Sequence, residues 1–310
     1  MNRYALLGAM LVLAAAPLEG QNRRDRDDDD REYTSRIDTT LALSANGAVE
    51  LSIHSGEIIV TTGGAGRVQI RAATERGTLE LESSSSRIAL GVTGSRGRSR
   101  EARFEIVVPQ GTRVIAQSAS GDISVRGTRA EADLHSISGN IELVDGAQRV
   151  TIESVSGDIS ARDVAGNLRA ETVSGDLDVA SVRGDLEAST VSGDLTLDGV
   201  TAKWARAETV SGELIYTGAI ENGGRYDFTT HSGDVRLDLG GSSGIAFDVE
   251  TFSGEIDSAF PITLTPGATI EGRPRRFEFT VGGGGARISV KTFSGDIQLE
   301  RGGSRDAQEN

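Results

Sequence analysis

The chain has no cysteine, five prolines in 310 residues and only 4% aromatic residues. Each shortage excludes something. Without thiols there are no disulfide staples, no thiolate metal centre, no cysteine nucleophile and no lipid-modified N-terminal cysteine. With one Trp, four Tyr and eight Phe, large aromatic anchors are scarce, and a core has to be built from small aliphatic side chains. Leu, Ile, Val and Phe number 75, about 24% of the chain, just above the roughly 20% below which a charged chain reads as disordered. Positive charge is also short: 32 Lys and Arg against 46 Asp and Glu leave a formal net charge of −14. A nucleic-acid binder must offer cations to phosphates, so no nucleic-acid partner is expected. Helical periodicity with caps is missing from everything after residue 20.

What the chain has in excess is glycine, 40 residues, near 13% against a usual ~7%. Many of these glycines belong to one repeat, Ser/Thr–x–Ser–Gly–Asp/Glu/Asn–aliphatic. It carries Gly56, Gly121, Gly139, Gly157, Gly175, Gly193, Gly212, Gly233, Gly254 and Gly295. From Gly121 to Gly193 the spacing is 18 residues; it then becomes 19, 21, 21 and 41. Weaker half-copies at Gly166 and Gly184 shorten the period to nine between residues 157 and 193. Internal periods of this kind mark stacked coils. Each half carries strand chemistry: Leu177 and Val179 alternate with a polar residue, the period of a half-buried strand. Glycine supplies the bend and the acid satisfies turn N–H groups. No proline falls between Pro109 and Pro261, as a continuous hydrogen-bonded ladder requires.

The expected fold is therefore all-β: a single parallel β-solenoid of 18–21-residue coils, with atypical β-rich end regions that close the core. Equivalent side chains should stack about 4.8 Å apart, giving the ladders Ile159, Leu177, Leu195, Leu214 and Val155, Val173, Val191, Val210. Length alone suggests two domains; the repeat replaces that division. Residues 1–20 read as a signal peptide, with Arg3, an apolar run over 4–16 and a cleavage site before Gln21. That run is too short to span a membrane, so no transmembrane span should survive signal cleavage. Residues 21–36 read as an acidic disordered linker and 37–300 as the solenoid. Within it, 37–110 form an N-terminal cap or irregular coils, 111–254 the regular coils, and 255–300 the C-terminal coils and cap. Residues 301–310 form a disordered tail. The stretch 83–102 reads as a loop between strands. The 41-residue gap reads as an enlarged coil, a turn at 282–285 and a last strand at 287–290.

Val107-Val108-Pro109-Gln110-Gly111-Thr112 leads into Ser120-Gly121-Asp122-Ile123, the Thr/Ser–x–Ser–Gly–Asp series follows, and Thr292-Phe293-Ser294-Gly295-Asp296-Ile297 closes it. In this the chain resembles the bacterial putative-adhesin, β-strand-repeat family known as domain of unknown function 4097, over roughly 37–300. The resemblance implies a β-solenoid in the cell envelope and an association with adhesion or envelope stress. It implies no catalytic residues.

The repeated acids, among them Asp122, Asp158, Asp176, Asp194, Glu213, Asp234, Glu255 and Asp296, are expected in a column. Like charges about 4.8 Å apart repel by roughly 1 kcal/mol per pair when solvated. Calcium bound at Asp158, Asp176 and Asp194 would relieve this. The motif departs, however, from the G-G-x-G-x-D-x-U-x of calcium-binding rolls, and Asn140 and Asn167 occupy equivalent positions. Turn capping is the preferred reading, with no metal and no cofactor. Acids at 27–30 read as solvated linker. Two hydroxyl ladders, Ser156, Ser174, Ser192 and Thr172, Thr190, Thr209, are expected to hydrogen-bond along the stack. His54, His135 and His231 are dispersed; His54 and His231 stand where other repeats carry Val, Ile, Ala or Phe, and read as ladder residues. Trp204 reads as packing at a bulged coil. Arg96, Arg98, Arg100 and Arg103, and Arg273, Arg275 and Arg276, read as solvated loops, with an anionic glycan or lipid contact as the alternative. No nucleophile elbow, phosphate loop or zinc-helix motif is present. The function expected is an exported, non-enzymatic envelope module, an adhesin or scaffold in the periplasm, at the cell surface or outside the cell. Its ligand is not legible; an envelope glycan or a surface protein is the partner class. The alternatives are a polysaccharide lyase or hydrolase on a β-helix and a periplasmic envelope-stress sensor.

Overall fold

The structure, a computed structural model, describes residues 33–63, 66–94, 101–241, 244–261 and 275–302. Every regular element among the described residues is a β-strand. The signal peptide, most of the linker, the acids at 27–30, Arg96, Arg98, Arg100, Arg273 and nearly all of the tail lie outside them. Backbone proximity divides the chain into two compact units, Met1–Ser136 and Ile137–Asn310.

The first unit contains β1 (Ser35–Ala42), β2 (Ala48–Thr62), β3 (Arg67–Thr74), β4 (Thr78–Ser83), β5 (Arg87–Thr93), β6 (Ala102–Val108), β7 (Arg113–Arg126) and β8 (Ala132–Ser136). Strand β2 lies parallel to β7, Gly56 beside Gly121. Its other edge is parallel to β5 and β6, with Val49 beside Ile88 and Ile58 beside Phe104. Strand β8 runs parallel to β7. Three strands break the solenoid rule: β4 is antiparallel to β5, β3 to β6, and β1 to β3. These are the atypical strands expected of an end region. Strand β1 begins at Ser35, inside the expected linker, because Ile37, Thr39 and Leu41 alternate with polar residues. Strand β5 also corrects the loop expected over 83–102. Polar Ser83–Ser86 composition suggested a loop, but Ile88 and Leu90 alternate inward and are buried.

The second unit contains β9 (Ile141–Ser154), β10 (Ile159–Glu171), β11 (Leu177–Arg183), β12 (Leu186–Ser192), β13 (Leu195–Ser211), β14 (Leu214–Ser232), β15 (Val235–Gly240), β16 (Ile245–Ser253), β17 (Ile256–Ser258), β18 (Arg275–Val281), β19 (Ala286–Ser294) and β20 (Ile297–Arg301). Successive coils stack in parallel with the register of the repeat. Ile159 pairs with Ile141 and Leu177, Leu195 with Leu177 and Leu214, and Leu214 with Val235. The resulting interior column Ile141, Ile159, Leu177, Leu195, Leu214, Val235 and Ile297 is closed to solvent. Each such side chain contributes about 1.5–3 kcal/mol on burial. Where the spacing lengthens, the β13–β14 register shifts between Leu197 and Val200 and again between Ala202 and Trp204. Half-buried Trp204 thus stands at a bulge. The wider interior beside it is filled by the fully buried rings of Tyr216, Tyr226 and Phe228. Tyr216 lies 4.9 Å from Phe228 and 6.3 Å from Tyr226 between ring centroids.

Two expectations about this unit are corrected. The valines before Ser-Gly do not face the core: Val155, Val173, Val191 and Val210 are exposed, while the preceding Thr172, Thr190 and Thr209 are buried. Val173 and Leu177 lie an even number of residues apart, so unbroken alternation would put both inside. The Ser-Gly-Asp bend resets the phase and leaves only Leu177 inside. The stacking order also departs from chain order. Strands β19 and β20 lie between β14–β15 on one side and β16–β17 on the other. The coil that ends the sequence is therefore interior. The outermost coil is β16–β17, and β18 lies antiparallel on β16. The expected 282–285 turn is present, and it feeds this inserted coil.

Candidate binding groove

The repeat residues form rungs between coils. A Cβ added at Gly157, Gly175 or Gly193 would fall 2.6, 2.8 or 2.7 Å from the carbonyl carbon of the preceding coil's Gly139, Gly157 or Gly175, and closer to its oxygen. Gly121, Gly212, Gly233, Gly254 and Gly295 face a neighbouring coil's glycine backbone in the same way. Only glycine fits that approach. The acids beside them act across coils. Asp176 N–H donates to Asp158 Oδ1 at 2.9 Å, Asp194 N–H to Asp176 Oδ1 at 2.9 Å and Glu213 N–H to Asp194 Oδ1 at 2.8 Å. Asn140 Oδ1 accepts from Asp158 N–H at 3.0 Å. An acceptor, rather than a charge, is what this position uses. The N–H it satisfies belongs to the next coil rather than to its own turn.

The hydroxyls behave differently from the expectation that they bond one another. Thr172, Thr190 and Thr209 each donate at 3.2 Å to a glycine carbonyl, on Gly157, Gly175 and Gly193 respectively. Thr251 and Thr292 do the same to Gly295 and Gly233. A threonine one residue after an outward side chain is close to the neighbouring glycine carbonyl, whereas threonines of successive coils are a full rung apart. Thr230 is the exception, its hydroxyl buried without an acceptor.

Outside these rungs runs the column of residues that precede Ser-Gly. Ile137, Val155, Val173, Val191, Val210, Phe252 and Phe293 are 40–56% exposed. His231 completes the series between Val210 and Phe293, and its ring stacks on Phe293 at 5.0 Å. Phe293 in turn stacks on Phe252 at 4.8 Å with the planes 3° apart. Beside this apolar edge lies a groove of about 640 Å³. The buried threonines make its floor. Ser189, Glu208, Thr229, Lys291 and Glu250 make the opposite side. Glu208 is held by Arg206 at 2.6 Å.

The remaining candidates are placed as follows. His54 is exposed and His135 half-buried, in different strands of the first unit. Arg103 is not in a loop: it lies in β6, paired with Glu105 at 2.9 Å and Glu57 at 3.4 Å. Arg275 and Arg276 lie in β18. Arg276 grips both oxygens of Asp248 at 3.0 and 3.1 Å, and Arg275 donates to Gly254 O. These arginines read as loop cations because their neighbours are glycine, serine and proline; strand partners distant in sequence claim them. Among the described residues no three His, Asp or Glu side chains converge as metal ligands, and no helix is long and apolar enough to cross a membrane. The groove itself went unrecognised in the sequence. Its signal was present: the residue before Ser-Gly is never charged, apart from histidine, in any copy.

A family model described as Toastrack DUF4097 matches residues 55–300. No curated protein matches. Among solved structures, the chain is similar to a putative cell adhesion protein from Clostridium sporogenes ATCC 15579. Identity is 10%, covering 86% of this chain and 99% of that one, with a TM-score of 0.24. It is similar to a putative adhesin from Bacteroides fragilis NCTC 9343, at 10% identity over 86% and 96% of the two chains and a TM-score of 0.42. A putative lipid binding protein from Parabacteroides distasonis ATCC 8503 shares 9% identity over 85% and 97%, with a TM-score of 0.45.

Proposed function

The chain belongs to the Toastrack DUF4097 family, and from that premise we propose that it is an exported, non-enzymatic binding module of the cell envelope, an adhesin or scaffold that engages its ligand along the groove. The observation that carries this reading is the outward column from Ile137 to Phe252. A side chain pointing away from a filled interior contributes little to folding, so repeated large apolar residues there favour a partner surface. Contiguous exposed apolar patches of this kind mark interaction sites, whereas scattered ones need no explanation. Support for export is the N-terminal segment 1–20, with its single cation, apolar run and small-residue cleavage site. Support for a non-catalytic role is the chemistry of the groove. Its carboxylates are Glu208, held by Arg206, and Glu250, and among the described residues neither forms an ion pair with Lys291 or His231.

The test is binding of the full chain to isolated envelope fractions and to purified glycans, compared with Val191→Asp/Val210→Asp. Loss of binding in the variant, with an unchanged melting midpoint, supports the groove as the surface. Equal binding by both proteins refutes it. Depolymerisation of acidic or neutral polysaccharides by the wild type would replace the non-enzymatic reading with the lyase or hydrolase.

A further inference from the structure

The groove's shape and chemistry narrow the ligand. A glycan or an extended peptide carries many hydrogen-bonding groups and loses affinity where they are desolvated without partners. Polar side chains stand on one side of this groove only, and its floor and apolar edge have few partners to offer. Its floor is built from a ladder whose backbone groups bond from coil to coil. The hydroxyls of Thr172, Thr190, Thr209 and Thr292 are engaged by glycine carbonyls, and that of Thr230 is closed off from solvent. A hydrocarbon chain needs none of these. Within the groove the apolar edge runs from Val191 through Val210, His231 and Phe293 to Phe252, four rungs or about 19 Å at ~4.8 Å per rung. That is the reach of a long, extended acyl chain. The groove's volume of about 640 Å³ lies in the ~300–1,000 Å³ range of small-molecule sites.

One ammonium lines the groove without an ion pair among the described residues. Lys291 lines it on the coil of Phe293 and makes no ion pair with a described residue. Glu208 is held by Arg206, and Glu250 stands in register between Arg276 and Lys291 without an ion pair to either. An ammonium at one end of an apolar track is complementary to an anion at one end of a hydrocarbon.

We propose that the groove holds a free long-chain fatty acid, its chain along the Val191-to-Phe252 edge and its carboxylate at Lys291. This rests on the groove being the binding surface proposed above. The test is calorimetric titration of the full chain with dodecanoate, hexadecanoate and dodecyltrimethylammonium, all below their micelle concentrations. The expected results are tighter binding of hexadecanoate than of dodecanoate, and of dodecanoate than of the cation with the same chain. Val210→Asp should weaken both anions by about tenfold or more, and Lys291→Glu should reverse the preference between dodecanoate and the cation. Val210→Ser, which keeps a small neutral side chain on an exposed position, guards against a folding defect and should also weaken binding. Equal affinity for anion and cation, no dependence on chain length, or unchanged binding by Val210→Asp would each overturn the proposal. So would a dimer in sedimentation that Val210→Asp dissociates, since a second copy would then occupy the edge. Failure to bind dodecanoate while envelope binding still depends on Val191 and Val210 overturns the fatty acid and leaves the groove. Independence of both from those valines overturns both.

Discussion

Substituting Gly193 by alanine tests the packing on which the stack depends. Gly193 does not have a left-handed backbone, so an alanine there carries no conformational penalty of its own. The obstacle is the neighbouring coil: the new Cβ would meet the Gly175 carbonyl, its carbon 2.7 Å away. The carbonyl is backbone and the Cβ is fixed to its own backbone, so neither can rotate aside. Relief requires the coils to separate locally, which strains the rungs on either side. These are Gly193 N–H to Ser211 O at 3.1 Å, Asp194 N–H to Asp176 Oδ1 at 2.9 Å and Leu195 N–H to Glu213 O at 2.9 Å. Overpacking costs about 1–3 kcal/mol and a weakened hydrogen bond about 1 kcal/mol more, so Gly193→Ala should destabilise by roughly 2–4 kcal/mol. For a unit of this size that corresponds to roughly 4–16 °C in the thermal midpoint. Two other glycines calibrate the measurement. Gly283 has open space around its would-be Cβ and no left-handed φ, so its alanine variant should stay within about 0.5 kcal/mol. Gly199 has φ +63° but no atom nearer than 3.6 Å; its variant should lose about 1–2 kcal/mol from conformation alone. The order of destabilisation should be Gly193, then Gly199, then Gly283. Hydrogen exchange should place the Gly193 effect in the amides of residues 193–195, because each coil contacts only its neighbours. If Gly193→Ala melts with Gly283→Ala, the close approach of the glycine column is wrong.

Other outcomes follow from the same rungs and from the interior. Asp176→Asn keeps the acceptor and should melt with the wild type, as Asn140 already serves this role; Asp176→Ala, compared by chemical denaturation, should lose about 1 kcal/mol. Burial pushes the Tyr216 phenol far above its usual value, and burial also raises Tyr226. A raised folded value favours the neutral form, so this stability is present below the ordinary tyrosine value near 10 and is lost as pH climbs above it. Phenolate absorbance should show both rings ionising only with unfolding. Tyr216 Oη is buried without a partner, so Tyr216→Phe should raise the melting midpoint and flatten the alkaline limb. An unchanged midpoint and alkaline limb would refute that cause. Truncation after Gly284 removes β19–β20, the parallel partner of both β14 and β16. Strands β16 and β18 should then become sensitive to limited proteolysis; resistance equal to the full chain would contradict the inserted coil.

Much of this fold was legible because it is local and repeated. Glycine spacing alone set the register in which Ile159 meets Leu177 and Leu195 meets Leu214, and the spacing change from 18 to 19 located the bulge at Trp204. The antiparallel pairings of β1 with β3 and of β3 with β6 were not legible, since the partners lie far off in sequence; β4 and β5 form a local hairpin, but neither carries the repeat. The site was half legible. Asp158, Asp176 and Asp194 were recognised as caps, but the N–H each would satisfy belongs to a coil 18 or 19 residues on. The valine column was noticed and assigned the wrong face. Period-two alternation is reliable along a strand and fails across a bend, where one extra residue exchanges inside for outside.

The insertion of the last coil was beyond sequence reasoning for a related reason. Phe252-Ser253-Gly254 and Phe293-Ser294-Gly295 are the same motif, so either segment satisfies the register with Ser232 equally well. The choice has a consequence for the groove. With β19 next to β14, His231 meets Phe293 and Phe293 meets Phe252, and three rings stack face to face. Stacking within the column hides the ring faces and presents edges to the groove. A sugar packs on ring faces, whereas a hydrocarbon chain is indifferent to which surface it meets. Lys291 arrives on the same inserted strand, beside Thr229 and Glu250. The topology that reorders the coils therefore also assembles the aromatic end of the apolar edge and brings Lys291 to it. Exchanging Phe293 for leucine should leave acyl binding intact, while exchanging it for serine should weaken it. A glycan platform would lose binding in both.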